Sequence, residues 1–201
     1  MLPSAAVKAR AERLGRKARV RADILIAHLN WASKRWPSVS DALRPHLDAA
    51  TFAIVEKPPR GGGAAMVLFS DLVRIDRALA AAAGGDQEPI FHALGAHSAK
   101  HNLAGLYDRY EPEDVHGFFQ SMSVVHRAFQ DFGKSTYERL GERSGRVQIA
   151  RYREFSPVFC TSGAGYYEEA LRLMKAPGPI QVRETACHCS GDGACVFEMN
   201  W

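Results

Sequence analysis

All four cysteines of the 201-residue chain stand at or after position 160, and three of them, Cys187, Cys189 and Cys195, fall within nine residues around a glycine-rich turn. The amino terminus is a run of alanines interleaved with arginine and lysine, with no greasy segment after it, so a secretory signal and an extracellular disulfide framework are not expected. Thiolates gathered in this way suit zinc, which is soft enough for sulfur and takes four ligands in a tetrahedron. Cys160, Cys187 and Cys195 supply three. The fourth is open between Glu184, His188 and Cys189. Glu184 lies three residues before Cys187, and on a regular strand two such side chains point to opposite faces, so Glu184 reaches the site only if the strand bends or ends near Thr185.

These residues need elements to bring them together. Ser156-Pro157 reads as a helix cap followed by proline at the first helical position, and the helix continues to about Lys175. On it Cys160, Ala164, Tyr167, Leu171 and Met174 recur at four and three, which turns the Cys160 thiol inward. Ile180 to Ala186 and Ala194 to Trp201 read as a strand pair joined across Ser190 to Gly193, with Cys187 and Cys195 flanking the turn. Lys134 to Leu140 and Arg146 to Arg153 read as an earlier hairpin. Upstream the pattern is helical: one helix through Ile24, His28 and Trp31 ending near Trp36-Pro37, one over 70–83 stopped by Gly84-Gly85, one over 88–105 and one over 113–132. In the helix over 88–105 the spacing of Ile90, Leu94, His97, His101 and Ala104 predicts one buried stripe, with both histidines facing inward. Lys57 to Gly63 reads as a loop. The whole predicts an α+β domain, helices first and then an antiparallel sheet with one helix laid on it.

Composition bounds the function. Hydrophobic residues make up 46% and charged residues 24%, an ordinary globular balance, and no stretch is long and apolar enough to span a membrane. A cytoplasmic location is the corresponding expectation. The net charge of +4 is uneven: residues 1 to 21 carry seven basic side chains against Glu12. Residues 1–20 read as a basic extension and 21–201 as the domain. That arm contains no aromatic residue to stack on bases, so a solvated face is the better reading than nucleic-acid binding. No Gly-x-Gly-x-x-Gly loop, phosphate loop or nucleophile elbow is present, and Gly61 to Gly63 follow Pro-Pro-Arg and no clear strand, so the chain is not read as an enzyme.

The residues Ser156-Pro157-Val158-Phe159-Cys160, Gly165-Tyr166 and the terminal pattern Glu184, Cys187, Cys195 enclosing Gly191-Asp192 resemble the 4-vinyl-reductase-type domain. This module also serves as the sensor of phenol- and xylene-responsive bacterial activators. The stretch from Gly95 to Tyr107 looks like stand-alone members of the same superfamily, whose fold is shared with haem-based nitric-oxide sensors and a vesicle-tethering subunit. The resemblance covers about residues 20 to 201 and is specific over the last 45. It implies a structural zinc ion on Cys160, Glu184, Cys187 and Cys195, which selects Glu184 as the fourth ligand. It implies a small hydrophobic or aromatic ligand between helices and sheet, for which His97, His101, Tyr107, Phe118, Phe129 and Phe132 are the wall. It also implies a homodimer. Two departures stand out: Cys189 is an extra thiol, and no ATPase or DNA-binding region follows Trp201.

The expected function is therefore a zinc-stabilised, non-enzymatic sensor or adaptor that reports to a separate effector protein through contacts. The alternatives are a haem-based gas sensor using His97, His101 or His126, although no Cys-x-x-Cys-His is present, and a scaffold whose pocket is filled by its own side chains.

Overall fold

The computed structural model describes residues 17–60, 65–103 and 114–201. Most of the basic arm, the glycines of the Lys57–Gly63 loop and Tyr107 lie outside the described residues.

Seven helices and six strands are described. Strand β1 (Arg19–Arg21) leads into α1 (Ala22–Ser33) and pairs antiparallel with β2 (Met66–Leu68). Two short helices, α2 (Val39–Leu43) and α3 (Ala49–Glu56), were not anticipated from the hydrophobic pattern, and local caps start them. Ser38 accepts from the Asp41 amide and Asp48 from the Thr51 amide, each satisfying a donor that the first turn leaves open. Helix α4 (Phe69–Ala83) buries Leu72, Ile75 and Leu79 completely and stops at Gly84, whose φ of 71° a residue with a side chain rarely adopts.

The sheet follows. Strands β3 (Lys134–Gly141), β4 (Ser144–Ala150), β5 (Gln181–Ala186) and β6 (Ala194–Asn200) form one antiparallel layer in the order β3, β4, β6, β5. The last strand, β6, pairs with β5 as expected and on its other edge with β4, which places Cys195 opposite Ile149. Helix α7 (Pro157–Leu173) lies on this sheet, with the Tyr167 ring 5.1 Å from that of Phe197.

The other face of α7 meets α5 (Glu88–Asn102) backbone to backbone. A Cβ on Gly95 would stand 1.7 Å from the Ser162 carbonyl oxygen, and one on Gly165 would stand 2.1 Å from that of His92. This crossing fixes the rotation of α5. Its buried face is Phe91, Leu94, Gly95, Ser98 and Ala99, so His97 sits half-buried at the margin and His101 is exposed. The expected stripe through both histidines is thus turned aside by the glycine contact. Helix α6 (Val115–Phe129) completes the wall beside β3.

Two apolar cores result. One gathers α1, α4 and part of α5 around Leu25, Leu72 and Leu79, and the other gathers α6, α7 and the sheet around Phe118, Phe119, Phe197 and Met199. No described helix is long and apolar enough to cross a membrane.

Candidate functional site

Cys160, Glu184, Cys187 and Cys195 converge: their ligand atoms all lie within 4.8 Å of one another. The Sγ of Cys160 is 3.6 Å from that of Cys195 and 3.5 Å from that of Cys187. A cation bound at about 2.3 Å to each sulfur of a tetrahedron would hold the sulfurs ~3.8 Å apart, so the spacing is that of a ligand cage. The cysteines form no disulfide. The strand-parity obstacle is removed by an irregularity in β5. Glu184 pairs with Phe197 but Ala186 pairs with Val196, so Thr185 is an extra residue that turns Glu184 and Cys187 to one side. The turn is held from within, since Asp192 Oδ2 accepts the Cys187 amide at 2.8 Å and Gly191 takes the left-handed conformation at φ 96°.

The electrostatics are those of donors without a counter-charge. Cys160 is pushed far up, first by its hydrogen bond to Cys195 and then by burial, while that hydrogen bond holds Cys195 down at about 7. Burial, aided by Glu184, pushes Cys187 up to about 12. Three thiolates and a carboxylate at this range repel one another, and a bound cation inverts the preference.

The back of the same helix wall bounds a cavity of about 100 Å³. Its lining joins the two cores: Ile24 and His28 of α1, Ser98 and Asn102 of α5, Met122, His126 and Phe129 of α6, Ile149 and Phe197 of the sheet, and Cys160, Ser162 and Tyr166 of α7. Two histidines face it and they differ. His126 uses its ring nitrogens internally: Nε2 lies 3.1 Å from the Phe132 carbonyl oxygen, and the side-chain nitrogen of Gln130 lies 2.9 Å from Nδ1 and 2.7 Å from Nε2. Burial pushes it down to about 4, so it is a neutral, satisfied ring. His28 uses one. Its Nδ1 lies 2.7 Å from Asp76 Oδ1 of α4, both side chains are 1% exposed, and its Nε2 has no partner among the described residues.

Of the residues expected to wall a pocket, Phe129 lines the cavity. Phe118 and Phe132 are buried in the two cores beside it, and His97 and His101 are on neither its wall nor its floor. Burial lowers the His97 pKa. Tyr107 lies outside the described residues. The residues that sequence reasoning missed are His28 and Asp76. Each is a polar side chain inside an apolar stripe, His28 between Ile24 and Trp31 and Asp76 between Leu72 and Leu79. That misfit is a signal, but the pairing across two helices 48 positions apart was not legible.

No family model matches the sequence, and no curated protein matches it. Solved structures do match in shape. An H-NOX protein from S. oneidensis in the Fe(II)NO ligation state superposes with a TM-score of 0.65 at 13% identity, over 90% of this chain and 98% of that one. An Fe(II) unliganded H-NOX protein mutant from K. algicida gives 0.62 at 12%, over 90% and 95%. An oxygen-binding H-NOX domain related to soluble guanylate cyclases gives 0.60 at 12%, over 89% and 90%. Descriptions in this group name haem and Fe(II). That overturns the expectation of structural zinc as the cofactor; what stands of it is a Cys/Glu cluster that could hold a metal ion. The chain has the H-NOX fold, a mixed helical and antiparallel-sheet architecture.

Proposed function

We propose that the chain is a ligand-binding sensor domain whose receptor site is the cavity between the helical core and the sheet. The observation that supports this reading is the cavity itself: a mostly apolar space bounded by α1, α5, α6, α7 and the sheet, with a buried polar atom of a lining residue, His28 Nε2, that has no partner among the described residues. Interiors are close-packed, and space of this kind is small and costly unless something fills it. An engineered cavity of roughly 150 Å³ holds benzene, so about 100 Å³ suits an apolar molecule smaller than that ring. In this reading the signal leaves by protein contacts, to a separate effector protein or across a homodimer.

The fold likeness favours a second occupant, haem. The donor chemistry is present, since an imidazole with one nitrogen on a carboxylate and the other free is the arrangement that metal-ligating histidines adopt. The space is not: pockets for drug-sized molecules run to roughly 300–1,000 Å³, well above this volume. Haem therefore does not fit the cavity in this structure. The four residues Cys160, Glu184, Cys187 and Cys195 are assigned, in this proposal, to a separate metal ion that clamps α7 to the β5–β6 turn.

Purified protein tests the three parts together. Saturable chemical-shift changes at Met122, Phe129 and Phe197 on addition of apolar probes smaller than benzene support the cavity reading, and no saturable probe among them overturns it. An absorption band in the usual haem region, retained through gel filtration, would replace it with the gas-sensor reading. Element analysis reading about one metal per chain, lost in Cys195→Ala, supports the clamp; metal-free folded protein removes it.

A further inference from the structure

We infer that His28, held by Asp76, is the hydrogen-bond acceptor that selects the ligand, so that the cavity takes an apolar molecule carrying one O–H or N–H donor. The inference rests on the cavity being a receptor site and adds which molecules it admits. The geometry fixes the roles. A carboxylate oxygen accepts hydrogen bonds, so the contact of 2.7 Å to Asp76 Oδ1 places a proton on Nδ1, and Nε2 is taken as the ring's bare nitrogen. His28 is 1% exposed and lines the cavity, and its Nε2 meets no donor among the described residues. A buried acceptor left without a donor is unfavourable, and no donor among the described residues lies within hydrogen-bonding distance of Nε2.

Asp76 does more than hold the tautomer. It ties α1 to α4 through two fully buried groups, so the ring cannot swing out to find water, and its Oδ2 also lacks a partner among the described residues. A hydroxyl entering the cavity satisfies Nε2 directly. An analogue of the same shape without the hydroxyl leaves Nε2 unmet, and sites built around such a hydrogen bond discriminate against that analogue far more strongly than apolar pockets discriminate by size.

The test is a matched pair of probes on the intact protein, 2-propanol and isobutane, titrated by NMR, with the ¹⁵N shifts of His28 read in the same samples. The expected result is a protonated Nδ1, a bare Nε2 whose shift moves on alcohol binding, and at least about tenfold tighter binding of the alcohol. The double variant His28→Phe/Asp76→Leu removes both partners together and abolishes that preference while retaining hydrocarbon binding. Equal affinity of wild type for the two probes, or a protonated Nε2, overturns the inference and leaves the receptor-site reading standing. Binding of neither probe at any concentration overturns both.

Discussion

The thiol cluster and the His28–Asp76 pair border the same cavity, one through Cys160 and the other through His28, yet they are assembled in opposite ways. The cluster brings three thiols and a carboxylate to within 4.8 Å of one another, a donor set that could hold a metal ion. The pair is already matched, donor to acceptor, and what it lacks is one proton donor at Nε2. The difference teaches how the proposed reading treats each region: the first as a possible metal site, the second as a hydrogen-bonding point for a guest.

The comparison breaks most visibly at the cluster. If a metal clamps α7 to the sheet, the double variant Cys160→Ala/Cys195→Ala loses the ion and on the order of 5 kcal/mol of stability, because metal binding is folding free energy in such sites. Urea midpoints alongside element analysis check this, and an unchanged midpoint ends the assignment. Next in size is Asp76→Ala. Removing one partner of a buried pair is expected to cost about 3 to 5 kcal/mol, read from the same midpoints.

The third prediction uses His126 as the contrast to His28. Burial holds its folded pKa at about 4 against an ordinary 6.5, so as pH falls the unfolded chain takes the proton first. Its contribution is full above pH 6.5 and is lost progressively down to about pH 4, up to about 3 kcal/mol, and His126→Gln flattens that part of the stability–pH curve. A variant with the same slope as wild type between these limits refutes the assignment. The smallest effect belongs to His28→Phe/Asp76→Leu, in which both polar groups leave together. Its stability is expected within about 1 kcal/mol of wild type, since apolar replacement of a buried pair is often neutral or better.

The cluster was legible in the sequence and the pair was not, for a physical reason. Cys187 and Cys195 flank one turn, and the helical phase of Cys160 points it inward, so local rules already place three ligands. Only the irregularity at Thr185, which brings Glu184 to the same side, needed the strand to be seen. The sheet, α4 and α7 were likewise announced by caps, glycines and periodicity. Helix α5 was misread in rotation because its periodicity was scored on side-chain type. Its packing is decided by Gly95, a residue with no side chain to score, and this moved His97 and His101 off the inner face and put Ser98 and Asn102 on it. His28 and Asp76 are joined only by tertiary packing, which no spacing along one helix encodes.

The contact at Gly95 and Gly165 also decides how this interior can yield. With main chain resting on main chain there is no intervening side chain to change rotamer, so α5 and α7 form one rigid ceiling carrying Ser98, Asn102, Cys160 and Tyr166 together. A guest that needs more room must lift that ceiling as a single piece off the strands below, and the Cys160 thiol must travel with it.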